Sequence, residues 1–326
     1  MRAVVHDVYG PPQVLRLAQV DRPDPGPGEV LVAVRASAVD QGLWHVTAGL
    51  PYLIRATPFR LRRGRARVRG MDVAGVVQAV GQGVTDLRPG DEVYGTCDGA
   101  FAEYACAEPR RLAPKPTGVG FGEAAVVPVS GCTALQALRD AGRLRPGQSV
   151  LVLGAGGGVG TFAVQLAKAL GAGHVTGVCG SRHLELVGAL GADEVVDYTR
   201  PDARLHGRRY DLVLDIAGGR PLSELRRLLN PRGTVVFVGG ETGGRWFGGL
   251  DRQLRGLLLG LVTSQRFRPL VGTQRHDDLR QLARFVDSGA VRPVVDRRYP
   301  LAELSAALTH LREGHPGGKI AIDVAL

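Results

Sequence analysis

One stretch near the middle of the chain constrains the fold more than any other. Residues 148–153 (QSVLVL) read as a buried strand, GAGGGVG follows at 154–160, and TFAVQLAKALG occupies 161–171. In that last segment Phe162, Val164, Leu166, Ala167 and Leu170 supply a broad apolar helical surface, and Gly171 stands where a helix stop is expected. A strand that enters a glycine cluster opening straight into a helix is the context of a dinucleotide-binding turn. Strict G-x-G-x-x-G spacing is broken by Ala155. Both Ala155-x-Gly157-x-x-Gly160 and Gly154-x-x-Gly157-x-x-Gly160 fit. One glycine makes the tight turn, Gly157 lets the backbone approach a pyrophosphate, and Gly160 allows close helix–strand packing. The helix N-terminus then offers unpaired N–H groups and a positive dipole end to the phosphates.

The rhythm continues after the turn. Strands are predicted at Val175–Cys179, Glu194–Val196, Leu212–Asp215 and Thr234–Val238, with helices around 183–190 and 222–229 between them. Such alternation argues for a doubly wound parallel sheet, an α/β architecture covered on both faces. The first third differs: Ala3–Val5, Val30–Val34, Val73–Val80 and Glu92–Tyr94 are short Val-rich runs among turn-dense segments, and they predict a separate compact β domain. The last sixty residues end in GGKIAIDVAL, a strand after a Gly-Gly turn. Periodicity alone does not say to which domain it belongs.

The end of the second predicted strand bears on the choice of dinucleotide. An NAD site wants an acid there for the ribose 2′-hydroxyl. This chain has Cys179, followed by Ser181, Arg182 and His183. Ser and Arg bind a 2′-phosphate through charge-assisted hydrogen bonds, so the expected cofactor is NADPH.

Composition narrows the remaining classes. With 326 residues, 44% hydrophobic and 22% charged, the chain has material for two globular domains and is neither disordered nor disulfide-stapled. Cys97, Cys106, Cys132 and Cys179 share no CxxC spacing and suit a reducing compartment. The first residues carry no apolar signal run, and no stretch is long and apolar enough to span a bilayer. A soluble cytoplasmic protein without a membrane partner is therefore expected. The net charge of +10 rests on 38 Arg and three Lys, a pattern of GC-rich coding. Aromatics at 5% and the lack of a recognition motif argue against nucleic acid.

The segments MRAVVHDVYGPPQVLRL, PGPGEVLVAVRASAVD, MDVAGVVQAVGQGVTDLRPGDEVYG, FAEYACAEPRRLAPKP, VVPVSGCTALQAL, LRPGQSVLVLGAGGGVGTFAVQLAKALGA, LGADEVVDY and GGKIAIDV, in this order, run through almost the whole chain. Together they resemble the medium-chain dehydrogenase/reductases, specifically the zinc-independent quinone oxidoreductase branch. The resemblance implies a GroES-like substrate domain over 1–121, a Rossmann NADP-binding domain over 122–265, and a return to the first domain over 266–326. It implies a cofactor in the cleft between domains and a homodimer. Carried over by motif, cofactor contacts fall on Asp40, Thr133, Gly154, Gly157, Gly158, Val159, Gly160, Cys179, Ser181, Arg182, Tyr198, Val238, Gly239, Gly240 and Lys319. The substrate pocket falls on Asp40, Trp44, Tyr52 and Met71.

Zinc-dependent relatives use a Cys, a His-Glu pair and a later Cys or Asp. Here those first positions match Asp40 and the pair Met71-Asp72, and the four-cysteine lobe is missing. Neutral, soft Met71 is a poor zinc ligand, so no metal is expected. Quinone oxidoreductase relatives usually have Asn at Asp40, which either meets the nicotinamide ribose or is a turn residue. Without a Lewis acid, hydride transfer needs an acceptor polarised by conjugation: a quinone or an α,β-unsaturated carbonyl. Tyr52 is either the proton donor or a packing residue, with solvent as the other proton source. His45 is read as structural and Cys97 as inert. The run Arg60–Arg69, with six Arg in ten residues, is either a solvated loop or a dock for an acidic carrier protein. Two other readings remain at this point: an NADP-dependent alcohol or carbonyl dehydrogenase, and an NADPH-binding redox sensor without turnover.

Overall fold

A computed structural model describes residues 1–56, 67–200, 205, 207–239 and 244–324. Chain contacts divide it into two units, 1–132 with 273–289 and 293–326, and 133–272 with 290–292.

In the first unit, Val30–Val39 is the central strand of a seven-stranded sheet. Nine of its ten residues are buried, which explains an apolar run without alternation. Asp72–Val80 pairs antiparallel with it on one side. On the other lie Tyr104–Ala107 along its first half and the closing strand Lys319–Asp323 along its second. The C-terminal strand thus belongs to the β-rich unit, a placement that periodicity had left open. Val30, Val32, Val34, Val73, Val77, Phe101, Leu304, Leu308, Ile320 and Ile322 form one core. A second sheet joins Arg16–Gln19, Arg2–His6 and Arg67–Val68.

The second unit is a six-stranded parallel sheet in the order Glu194–Asp197, His174–Cys179, Ser149–Leu153, Tyr210–Asp215, Leu229–Phe237, Arg266–Pro269. Every strand expected from the alternation is present, with its ends shifted by one to five residues. Arg266–Pro269 has no hydropathy signal, because its two arginines flank the single buried Phe267. It makes the sixth strand by pairing with Leu229–Phe237, so this unit runs to residue 272 and not 265. At its other end the division falls within the helix Pro128–Gln136, later than residue 122. The reason is that the short helix Phe121–Ala125 packs on strands of the first unit. Strand order reverses at Ser149–Leu153, whose neighbours leave in opposite directions and open a crevice at the carboxyl ends.

Candidate functional site

The crevice of the parallel sheet is floored by the glycine turn. Gly154 follows the strand at φ +91°, a conformation that favours glycine, and its N–H donates to Val178 O at 3.0 Å. Gly157 caps the helix Gly158–Ala169 without a side chain, and the first helical bond runs from Thr161 N to Gly157 O. The N–H groups of Gly158, Val159 and Gly160 therefore lack helical acceptors and face outward at the positive end of the dipole. The glycines differ in purpose. A Cβ on Gly160 would stand 2.1 Å from Gly154 O, so Gly160 permits helix and strand to touch. A Cβ on Gly157 would meet only Gly154 O, at 3.7 Å, so no protein contact demands glycine there. That open space is what a pyrophosphate approaching the backbone requires. The residues fit a dinucleotide.

The next two strand ends carry the selectivity cluster. Cys179 is buried, its thiol pushed up to about 11 by burial and then by Asp197. A neutral thiol cannot take the role of a ribose-binding acid. Asp197, paired with Cys179 across the sheet, is an acid that the sequence reading missed. It looked only to the end of the second strand, and the acid stands on the third. Asp197 accepts the Ser181 hydroxyl at 2.7 Å and the Thr199 hydroxyl and N–H at 2.7 and 2.9 Å. These bonds hold its carboxyl below the usual range, the Ser181 hydroxyl most of all. The carboxylate is thereby spent on orienting two hydroxyls. Arg182 follows Ser181 and is exposed, as is Tyr198, whose phenol lies across Gly180.

On the other side of the crevice, Val238 and Gly239 both donate to Asp215 O, at 3.1 and 3.2 Å. A Cβ on Gly239 would stand 2.0 Å from Ile216 O, so the chain crosses the neighbouring strand end at van der Waals distance. Gly240 lies outside the described residues. Thr133 sits opposite Gly272, where an added Cβ would come within 3.1 Å of its hydroxyl.

The remaining expected residues lie in the β-rich unit. Asp40 caps the helix Gln41–Ala48, its Oδ1 accepting from Leu43 N at 2.8 Å, which is the turn role named as one alternative. The Arg312 guanidinium lies 4.0 Å from the Trp44 ring. His45 Nδ1 donates to Leu50 O at 2.7 Å, a structural bond. Tyr52 opens the short helix Tyr52–Ala56, with Arg55 held 4.8 Å from its ring and 4.7 Å from that of Tyr9. Cys97 is wholly buried and its thiol is pushed up to about 12, chiefly by burial, which leaves it inert. Half-buried Met71 accepts Cys97 N through its carbonyl, at 2.9 Å.

Beside Met71, Asp72 is fully buried. Its Oδ1 accepts from Val129 N at 2.8 Å and its Oδ2 from Lys319 Nζ at 3.0 Å. Burial pushes the carboxyl up to about 6, against the attraction of Lys319, and nearby Asp40 adds to the rise. Lys319, assigned to the cofactor by motif, is buried and gives its charge to Asp72. Zinc does not fit this set. Asp72 is occupied by an ammonium, Asp40 by a helix N-terminus, and Met71 is a weak donor. Of the arginine run, Arg60, Arg62, Arg63 and Arg65 lie outside the described residues. Arg69 is no docking residue: it is buried, and its Nε donates to His6 Nε2 at 2.8 Å. That contact requires a neutral His6, whose ring is pushed down to about 4 by burial and then by Arg69.

Comparison with known proteins agrees with this geometry. Residues 26–137 match the alcohol dehydrogenase GroES-like domain, and 190–322 match the family described as zinc-binding dehydrogenase. The chain is 32% identical to the chloroplast envelope quinone oxidoreductase homolog of Arabidopsis thaliana, over 99% of this chain and 98% of that one. It is 33% identical to the NADPH-dependent alkenal/one oxidoreductase, chloroplastic, of the same plant, over 99% of this chain and 79% of the relative. The solved structure of the quinone oxidoreductase from Coxiella burnetii superposes with a TM-score of 0.87 at 28% identity, covering 100% and 99% of the two chains. Fold and glycine turn agree with these matches, and the chain belongs to the medium-chain dehydrogenase/reductase superfamily, in its zinc-independent branch.

Proposed function

We propose that this protein is an NADPH-dependent oxidoreductase that reduces quinones or α,β-unsaturated carbonyls without a metal. The observation that carries the reading is the set Asp40, Met71 and Asp72 at the positions that motif aligns with the zinc ligands of relatives: Asp72 is engaged by Lys319, Asp40 by a helix N-terminus, and Met71 is a weak donor. A chain without a Lewis acid at that position suits acceptors that are already polarised by conjugation. Similarity to a quinone oxidoreductase homolog and to an alkenal/one oxidoreductase supports the same acceptor class.

The bound cofactor supplies a hydride. The chain's part is to hold and orient it. N–H groups of Gly158, Val159 and Gly160 would hold the pyrophosphate, and Arg182 would pair with the 2′-phosphate. Asp197 fixes Ser181 and Thr199 beside it. The acceptor gathers negative charge on its carbonyl oxygen as its β-carbon is reduced, and that charge is discharged by a proton.

The cofactor assignment makes a direct prediction. Arg182→Ala removes one charge-assisted contact, and KM for NADPH is expected to rise about 10- to 100-fold. KM for NADH should change less than threefold, since NADH has no 2′-phosphate. Equal effects on the two cofactors would take Arg182 out of the phosphate site.

The reaction class is tested by NADPH oxidation after chelator treatment, against quinones, enones and saturated ketones with product identification. Turnover is expected with the conjugated acceptors only, the enone being reduced at C=C. Alcohols formed from saturated ketones would establish a carbonyl dehydrogenase instead. NADPH binding without any turnover would establish a sensor.

A further inference from the structure

The acid missing from the end of the second strand of the parallel sheet is present one strand over. Cys179 stands where a ribose-binding acid is expected, and its register partner on the adjacent strand is Asp197. Neighbouring strands lie about 4.8 Å apart, so this carboxylate starts one strand spacing from the position that discriminates the ribose.

Two residues stand in its way. Asp197 is buried, at 8% exposure, while Ser181 and Thr199 are exposed. Ser181, from the turn after one strand, donates to Asp197 Oδ2, and Thr199, just beyond the end of the other, donates to Oδ1 through both its hydroxyl and its N–H. The two hydroxyl oxygens lie 2.8 Å from each other and close a bridge over the carboxylate.

The protons available decide what this bridge does. Each hydroxyl has one proton, and three oxygen–oxygen contacts of 2.7, 2.7 and 2.8 Å compete for the two. An ionised carboxylate is a stronger acceptor than a hydroxyl, so both protons turn inward to Asp197. The carboxyl is accordingly held below its ordinary range, first by Ser181 and then by Thr199. With the Thr199 N–H, three donors share its two oxygens. Little accepting capacity remains for a ribose hydroxyl, and neither side chain has a proton to spare for a phosphate.

We propose that Ser181 and Thr199 set the cofactor preference of this site by masking Asp197. With both hydroxyls in place the carboxylate does not serve the ribose 2′-hydroxyl of NADH; without them it takes that hydroxyl and repels a 2′-phosphate. The inference rests on the NADPH reading above. Under it Arg182 holds the 2′-phosphate, and Ser181 and Thr199 are positioning residues that act through Asp197. A serine that simply donated to the phosphate would behave differently on removal, with NADPH binding weakened and NADH binding unchanged.

The test is calorimetric titration of the full chain with NADPH and with NADH, no acceptor being present. Ser181→Ala/Thr199→Val alters two exposed side chains and keeps the Thr199 N–H bond to Asp197. This variant should bind NADH about 10-fold more tightly than the parent, through a charge-assisted bond to the bared carboxylate. It should bind NADPH about 10-fold less tightly, so the preference between the cofactors moves about 100-fold. Ser181→Thr/Thr199→Ser retains both hydroxyls and should retain the parent preference. Adding Asp197→Asn to the first variant should cancel the gain for NADH, because the amide carries no charge. The proposal is overturned if Ser181→Ala/Thr199→Val binds NADH no better than the parent, or if the gain survives Asp197→Asn. A parent that prefers NADPH, combined with either of those results, would overturn the mask alone. A parent that binds NADH as tightly as NADPH would overturn the cofactor reading and the mask with it.

Discussion

Gly160→Ala should destabilise the nucleotide-binding unit by at least about 3 kcal/mol and raise KM for NADPH about 100-fold or more. The added Cβ would lie 2.1 Å from Gly154 O and 2.7 Å from Ala155 Cα, both backbone atoms that no rotamer change can clear. Helix and strand must separate, and the N–H groups that meet the pyrophosphate move with the helix. Gly157→Ala is the control. Its Cβ has an ordinary 3.7 Å contact and its φ of −86° suits alanine, so stability should change by less than about 0.5 kcal/mol. NADPH affinity should nonetheless fall, because the methyl occupies the approach to the phosphate. Thermal unfolding and fluorescence titration with NADPH separate the two effects. A Gly157→Ala protein that binds NADPH as tightly as the parent would remove this turn from the cofactor site.

Lys319→Met should be the most damaging single change in the β-rich unit. Removing one partner of a buried pair leaves the other charge uncompensated, at a cost of about 3–5 kcal/mol. Asp72→Leu/Lys319→Met should recover most of that loss, since an apolar replacement of both partners strands no charge. The variants also differ in pH dependence. In the parent the Asp72 carboxyl titrates at about 6, above its ordinary 3.8, so it holds a proton more tightly folded than unfolded. Stability from this group is therefore present at low pH and lost as pH rises between about 4 and about 6. Without Lys319 the carboxyl titrates higher still, and the loss extends further up the pH scale. The deficit of Lys319→Met in Tm should be larger at pH 8 than at pH 5. A deficit independent of pH would mean that Asp72 is not the charge left exposed.

The glycine turn was legible because its meaning is local. A buried strand, a glycine cluster and an apolar helix face follow one another in the sequence, and each glycine's role depends on atoms within a few residues. The parallel sheet was legible for the same reason, strand by strand. Arg266–Pro269 was not, because a short edge strand carries one inward side chain and its neighbours look like a charged loop. The ion pair of Asp72 with Lys319 was hidden for a different reason: the two residues are 247 positions apart and meet only because the last strand returns to the first sheet. Motif matching assigned Lys319 to the cofactor, and that matching has no access to which carboxylate it faces.

By itself the sequence determined the alternation of strands and helices between about residues 149 and 237 and the glycine turn from Gly154 to Gly160. These follow from spacing and residue chemistry along a short stretch of chain. Only the tertiary structure decided that Asp197 orients Ser181 and Thr199, that Asp40 caps a helix, and that Leu259 faces the core while Leu250, Leu254, Leu257, Leu258 and Leu261 point outward. A hydropathy pattern shows that a helix has an apolar face. It takes the packing of Gly256 against Phe237 and the pull of Asp215 on Arg252 to fix which face meets the core.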